Sequence, residues 1–66
     1  IDGLSVIRKV IKKSSELIKK QGKLFLEIGY GQKEPVKKML KENNFYINKI
    51  TKDLAKNDRC VISTKK

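Results

Sequence analysis

The chain contains an apolar run of strand length, KLFLEI at residues 23–28, which leads into GYGQ at residues 29–32. Leu24 and Leu26 fall on one side of such a strand and Phe25 on the other, so both faces carry apolar groups. This pattern is typical of a strand that is covered on both faces, as in a parallel or mixed sheet. We therefore expect an α/β fold with a strand at residues 23–29.

Two amphipathic helices are predicted around this strand. Apolar residues recur at three- and four-residue steps over residues 4–20, which predicts a helix with one buried stripe. Asp2 is its expected N-cap, and Gly22 is expected to end it through a left-handed turn. Pro35 fits the first turn of a second helix at residues 34–43. The two predicted buried stripes are Leu4, Ile7, Val10, Ile11, Leu17 and Ile18, and then Val36, Met39 and Leu40.

The last third of the chain predicts two more strands, at residues 45–51 and 59–63. A polar connection separates them, which favours an antiparallel hairpin with a longer loop. The predicted order is therefore α-β-α-β-β.

Size and cysteine content limit what this chain does alone. A chain of 66 residues has room for one small, marginal core, so we expect stability to need a partner surface. Ile1 as the first residue is easiest to understand if the chain continues upstream or has been trimmed. The one cysteine forms no internal disulfide, and no secretory signal or membrane-spanning run is evident. We expect a soluble, cytoplasmic protein with no membrane association.

The formal charge of +10 raises binding to nucleic acid as an alternative. Nearly all of the positive charge is lysine, and only Arg8 and Arg59 are arginine. Dedicated phosphate and base readers favour the bidentate guanidinium of arginine. A solvated lysine-rich surface is therefore favoured over a nucleic-acid interface. Lys33, Lys37 and Lys41, at four-residue spacing, are likewise interpreted as a solvated helix face rather than a phosphate track.

A strand that ends on the GYGQ turn is typical of nucleotide-fold enzymes. Taken with its flanks, DGL at residues 2–4, KDL at residues 52–54 and NDRCV at residues 57–61, the chain resembles the C-terminal part of the HemK/PrmC family. Those enzymes are S-adenosylmethionine-dependent methyltransferases that act on a glutamine of peptide-chain release factors. The resemblance spans nearly the whole chain.

The resemblance implies that residues 1–66 form one partial domain, the C-terminal half of a Rossmann-like class I methyltransferase. The last strand is then expected between the other two and antiparallel to them. Glu27, Gly29 and Gln32 match the family's turn after its fifth strand and are the candidate substrate-side turn. Asp58 and Arg59 match the start of the last strand.

The family's Asn-Pro-Pro-Tyr sequence and its first glycine-rich cofactor loop have no counterpart in this chain. No catalytic, cofactor-binding or metal-binding residue is therefore assigned. S-adenosylmethionine is expected for the intact family enzyme and not for this chain alone, which we expect to be inert by itself. Alternatively, Gly29 and Gly31 form the cofactor loop itself, although Gln32 and Lys33 stand where a third small residue is expected.

Each candidate residue also has a structural interpretation. Glu27 either faces an active site or is a hydrogen-bonded structural carboxylate, and neither is preferred. For Gln32, capping the following helix is favoured over contact with a substrate peptide. Asp58 and Arg59 are interpreted as a surface ion pair. Cys60 is interpreted as a small strand residue, because the chain has no histidine to activate its thiolate.

Partner predictions follow from the missing half. We expect the first strand to expose an edge that pairs with an N-terminal methyltransferase half or drives self-association, and we expect a release factor as the partner of the intact enzyme. The alternatives are a small basic RNA- or ribosome-binding module, and a split-gene remnant that only self-associates.

Overall fold

A computed structural model describes residues 3–66, apart from the side chain of Asp58. The predicted order of elements is confirmed. The elements are α1 (Gly3–Leu17), β1 (Lys23–Glu27), α2 (Lys33–Glu42), β2 (Phe45–Lys52) and β3 (Asp58–Lys65). The N-cap predicted at Asp2 lies outside the described residues.

The three strands form one sheet in the order β1-β3-β2, and β3 is antiparallel to both neighbours. β1 pairs with β3 in an unbroken register from Lys23 opposite Thr64 to Glu27 opposite Cys60. The ladder between β2 and β3 shifts register between Ile47 and Lys49, as at a β-bulge. The last strand along the chain is therefore the middle strand of the sheet.

Both helices contribute to the core on one face of this sheet. α2 packs on β2, and α1 packs on α2. The stripe predicted for the second helix is confirmed, because all three of its residues are buried. The buried core consists of Ile11, Leu26, Ile28, Val36, Met39, Leu40, Phe45 and Val61.

The stripe predicted for the first helix is wider than the stripe that α1 buries. Ile11 is fully buried, and Leu4 and Ile7 pack against the core, but Val10 and Leu17 are exposed. α1 rests mainly on α2 and not across the sheet, so only a narrow strip of its surface is covered.

The prediction that β1 is covered on both faces is wrong for this chain. Leu26 is buried on the helix side, whereas Phe25 on the opposite side is 64% exposed. Residues that alternate with the core positions on the three strands share this uncovered side. We call it the open face. Its apolar or half-buried members are Phe25, Tyr46, Cys60 and Ile62.

The end of the first helix also differs from its prediction. α1 ends at Leu17, and the left-handed residue is Gln21, with a φ of 72°, rather than Gly22. Gly22 is needed for a different reason: a Cβ there would lie 2.9 Å from the carbonyl oxygen of Lys19 and against the Ile18 side chain. Its own carbonyl accepts a 2.8 Å hydrogen bond from the amide of Lys65. Gly22 therefore permits close packing between the helix end and the sheet.

Replacement of Gly22 by alanine should destabilise the chain by about 1–3 kcal/mol, because the added methyl overpacks this junction. Urea denaturation followed by circular dichroism measures the change. Lys20→Ala, at an exposed position in the same connection, is the matched control and should change stability by less than about 0.5 kcal/mol. Equal midpoints for the two variants would contradict the packing role.

Candidate functional site

The turn that follows β1 is closed by hydrogen bonds between its two ends. The amide of Gly29 donates to Oε1 of Gln32 at 2.6 Å, and the amide of Gln32 donates back to the carbonyl of Gly29 at 3.1 Å. Gly31 between them has a φ of 76°, which favours glycine. The amide of Ile28 donates to the carbonyl of Arg59 at 2.8 Å, so the turn is fixed to the sheet as well.

Gln32 occupies the N-cap position of α2, but its side chain does not cap the helix. The favoured interpretation of Gln32 as a capping side chain is therefore wrong. Its carbonyl accepts from the amide of Val36 at 3.0 Å, which begins the helix, while its side chain holds the preceding turn. A Cβ on Gly3 would lie 3.2 Å from Nε2 of Gln32, so the start of α1 also borders this side chain. The structure thus brings two separately matched segments together at Gln32.

Glu27 is not part of this hydrogen-bonded turn. It is the last residue of β1, opposite Cys60, and it is exposed on the open face. Among the described residues its carboxylate receives no hydrogen bond and forms no ion pair, so the structural-carboxylate interpretation has no support. Of the three candidate residues, Gly29 and Gln32 are therefore joined by a hydrogen bond, whereas the carboxylate of Glu27 is exposed on the open face.

The loop between β2 and β3 is organised by Asp53. Oδ1 of Asp53 accepts from the amides of Ala55 at 2.9 Å and Asn57 at 3.0 Å, and Oδ2 accepts from Nε of Arg59 at 2.7 Å. The backbone of Asp53 also pairs with Asn57 and Lys56. An aspartate that bonds to amides two and four residues later holds a turn in place.

Arg59 forms an ion pair with Asp53. The predicted ion pair between Asp58 and Arg59 depends on the side chain of Asp58, which lies outside the described residues. The Nε of Arg59 lies 2.7 Å from the Asp53 carboxylate, and both side chains are partly exposed. The hydrogen bond from Arg59 is the main cause that holds the pKa of Asp53 below 3.8, and the amide of Asn57 adds to it. Sequence reasoning missed Asp53 as an organising residue. The sequence signal that could have indicated this role is an aspartate at the start of the polar loop between the two last strands.

The closed turn and the Asp53 loop border a shared pocket of about 320 Å³. Gly29, Tyr30 and Gly31 line one side, and Lys56 and Asn57 line the other. Lys33 and Glu34 from the first turn of α2 complete the lining. Tyr30 is 87% exposed, so its ring is available at the rim. We call this the turn pocket.

The contacts of Gly29 do not favour its part in the alternative in which Gly29 and Gly31 form a cofactor loop. Such a loop uses free backbone amides and a close approach to the cofactor. The amide of Gly29 is already bonded to Gln32, and a Cβ on Gly29 would meet the same side chain at 3.3 Å. The glycine at this position makes room for Gln32.

Cys60 is the other residue considered for a chemical role. Cys60 is half-buried in the middle strand, as expected for a small strand residue. Among the described side chains, no group of three or more Cys, Asp or Glu residues is arranged to hold a metal ion. No helix in that part of the chain is long and apolar enough to cross a membrane.

Comparison with known proteins supports the resemblance. The chain is 44% identical over 64 residues, 97% of its length, to a release factor glutamine methyltransferase of Fusobacterium nucleatum. It is 38% identical over 98% of its length to one of Buchnera aphidicola, and 36% identical over 97% of its length to one of Thermodesulfovibrio yellowstonii.

The chain is similar to one part of these release factor glutamine methyltransferases. It spans only 18%, 24% and 23% of the length of the Fusobacterium, Buchnera and Thermodesulfovibrio proteins, respectively. No family model matches the chain, and no solved structure matches it.

Loss of the Gln32 side chain should open the turn of this methyltransferase-related segment. Gln32→Ala removes the acceptor for the Gly29 amide, which should cost about 1 kcal/mol. Hydrogen exchange of the Gly29 amide, measured by NMR, should accelerate several-fold. Gln32→Glu retains an acceptor oxygen and should keep most of the protection. Unchanged exchange at Gly29 in the alanine variant would contradict the assigned bond.

Acid should release the Asp53 loop at a lower pH than that at which an ordinary aspartate titrates. Because the folded pKa of Asp53 is lowered, the carboxylate stabilises the loop fully above the unfolded pKa and loses this effect as pH falls through the folded pKa. NMR signals of the Ala55 and Asn57 amides and the Arg59 Nε–H should shift together, with a midpoint below 3.8. Asp53→Asn should abolish this shared transition. A midpoint above 3.8 would contradict the bonding pattern.

Proposed function

We propose that this chain is the C-terminal part of the Rossmann-like methyltransferase domain of a release factor glutamine methyltransferase. The main support is the 44% identity that extends over 97% of the chain. The intact enzyme would transfer a methyl group from S-adenosylmethionine to the side-chain amide of a release-factor glutamine. This chain alone would be inactive, with cofactor binding supplied by the rest of the domain.

In this proposal the chain completes the sheet of the larger domain. Among the described strands, β1 pairs only with β3, so its other edge has no strand partner. Its side chain on the open face, Phe25, is exposed and apolar. A further strand from the rest of the domain would pair with this edge, and a covering layer would bury Phe25. Without them, self-association through the same edge is the expected behaviour.

The turn after β1 would lie on the substrate side of the intact enzyme. In open α/β sheets, ligands bind outside the carboxyl ends of strands, and Glu27, Gly29 and Gln32 lie at that end of β1. The Gly29–Gln32 bond keeps the turn rigid, which helps to position a bound peptide. Glu27, without a described partner, remains available for a contact with substrate or with the rest of the domain.

A chimaera tests the proposal. The segment of the Fusobacterium nucleatum enzyme that matches this chain is replaced by the matching residues of this chain. The chimaera should bind S-adenosylmethionine, measured by calorimetry, and should methylate the release-factor glutamine, measured by mass spectrometry. The 66-residue chain alone should do neither. A folded chimaera without methylation, or cofactor binding by the chain alone, would overturn the proposal.

The same chimaera separates the role of the turn from that of the fold. Gln32→Ala should lower kcat/KM for the release factor by roughly tenfold while affinity for S-adenosylmethionine stays unchanged. Lys12→Ala, on the exposed side of α1, is the control and should leave both unchanged. Equal activity of the two variants would remove Gln32 from the substrate side.

A further inference from the structure

A second pocket lies between α2 and the outer edge of β2. Its volume is about 590 Å³, within the range of typical ligand sites. The residues of β2 that line it are Phe45, Tyr46, Ile47 and Ile50. Phe45 is fully buried, and the two isoleucines are half-buried at the edge of the core. We call it the edge groove, and it shares no lining residue with the turn pocket.

The rim of the edge groove is cationic. Lys37 and Lys41 extend from successive turns of α2, and Lys66 follows the end of β3. No described Asp or Glu lines the groove. The nearest ion pair joins Lys37 to Glu34 at a long 3.9 Å, on a carboxylate that is itself largely exposed. Three positive charges around an apolar floor are therefore only weakly offset.

The lysines that are spaced four residues apart in α2 border two different pockets. Lys33 lines the turn pocket, whereas Lys37 and Lys41 line the edge groove. The lysines therefore do not form one continuous track along the helix. Like charges one turn apart repel each other, so an anion between them would relieve a cost that the free chain carries.

We propose that the edge groove binds an acidic segment of a partner protein that alternates carboxylates with aliphatic side chains. Its aliphatic groups would pack on Ile47 and Ile50, and its carboxylates would pair with Lys37, Lys41 and Lys66. The outer edge of β2 has no described strand partner, which suits an extended peptide. This proposal is independent of the methyltransferase proposal.

The composition of the groove favours such a peptide over RNA. Besides the fully buried Phe45, its lining contains two isoleucines and one exposed aromatic residue, Tyr46, and neither arginine of the chain lines it. Single-stranded nucleic acids are bound by stacking successive bases on several aromatic side chains and frequently through arginine, whereas the groove has one exposed aromatic side chain and no arginine. The two isoleucines instead favour a peptide that buries aliphatic side chains against them.

The test is fluorescence anisotropy of the 66-residue chain with a labelled peptide of alternating glutamate and leucine. Lys37→Glu/Lys41→Glu should weaken binding roughly tenfold or more. Lys9→Glu/Lys12→Glu makes the same charge change on exposed positions of α1 and should weaken it less than about threefold. Lys66 lines the groove but belongs to neither α2 nor β2, and Lys66→Glu should also weaken binding. This variant replaces the first double variant in the test if circular dichroism shows that the double variant is unfolded.

Two further probes complete the test. A peptide of alternating glutamate and serine carries the same charge and should bind roughly tenfold more weakly, because it buries no aliphatic group. Equal binding of both peptides, or equal losses in the two double variants, would show only a net-charge effect and overturn the proposal. A single-stranded RNA that binds more tightly than the leucine peptide and displaces it would assign the groove to nucleic acid instead.

Discussion

The position of β3 between β1 and β2 is the constraint on which the other contacts depend. β1 and β2 do not pair with each other, and each joins the sheet by pairing with β3. Val61 on β3 is fully buried beneath the helices, and the carbonyl of Arg59 anchors the turn after β1. The turn and the Asp53 loop therefore border one pocket because β3 joins them. The three-stranded antiparallel sheet is compatible with a methyltransferase fragment.

Polar contacts on the open face help to fix the register of this sheet. Nζ of Lys23 donates to Oγ1 of Thr64, which donates to Oδ1 of Asn48, each at 2.6 Å, so one chain of hydrogen bonds crosses all three strands. Thr64 is fully buried, and a slip of one residue would leave its hydroxyl without these partners. Asn48 lies at the register shift of β2, where a bulge redirects a side chain.

Periodicity predicted the elements well because it reports which faces are suited to burial. It could not report whether a covering layer exists, and this is why Phe25 was expected to be buried and is exposed. Local motifs also predicted that a glycine turn follows β1. They could not assign the partners of Gln32 and Arg59, because each partner is chosen by the folded geometry of the turn or loop. Similarly, the left-handed residue after α1 is Gln21, and the glycine that follows it is used for close packing.

The two outer edges of the sheet differ in ways that favour different partners. The β2 edge carries a register shift and the exposed Lys49, and bulges and lysines are features that discourage uncontrolled strand pairing. β1 pairs without a shift and has the exposed Phe25 beside its unpartnered edge. A regular strand edge beside an exposed apolar side chain suits a permanent neighbour, and β1 has both features. A reversible partner needs charge and a limited apolar floor, which are the properties of the edge groove beside β2.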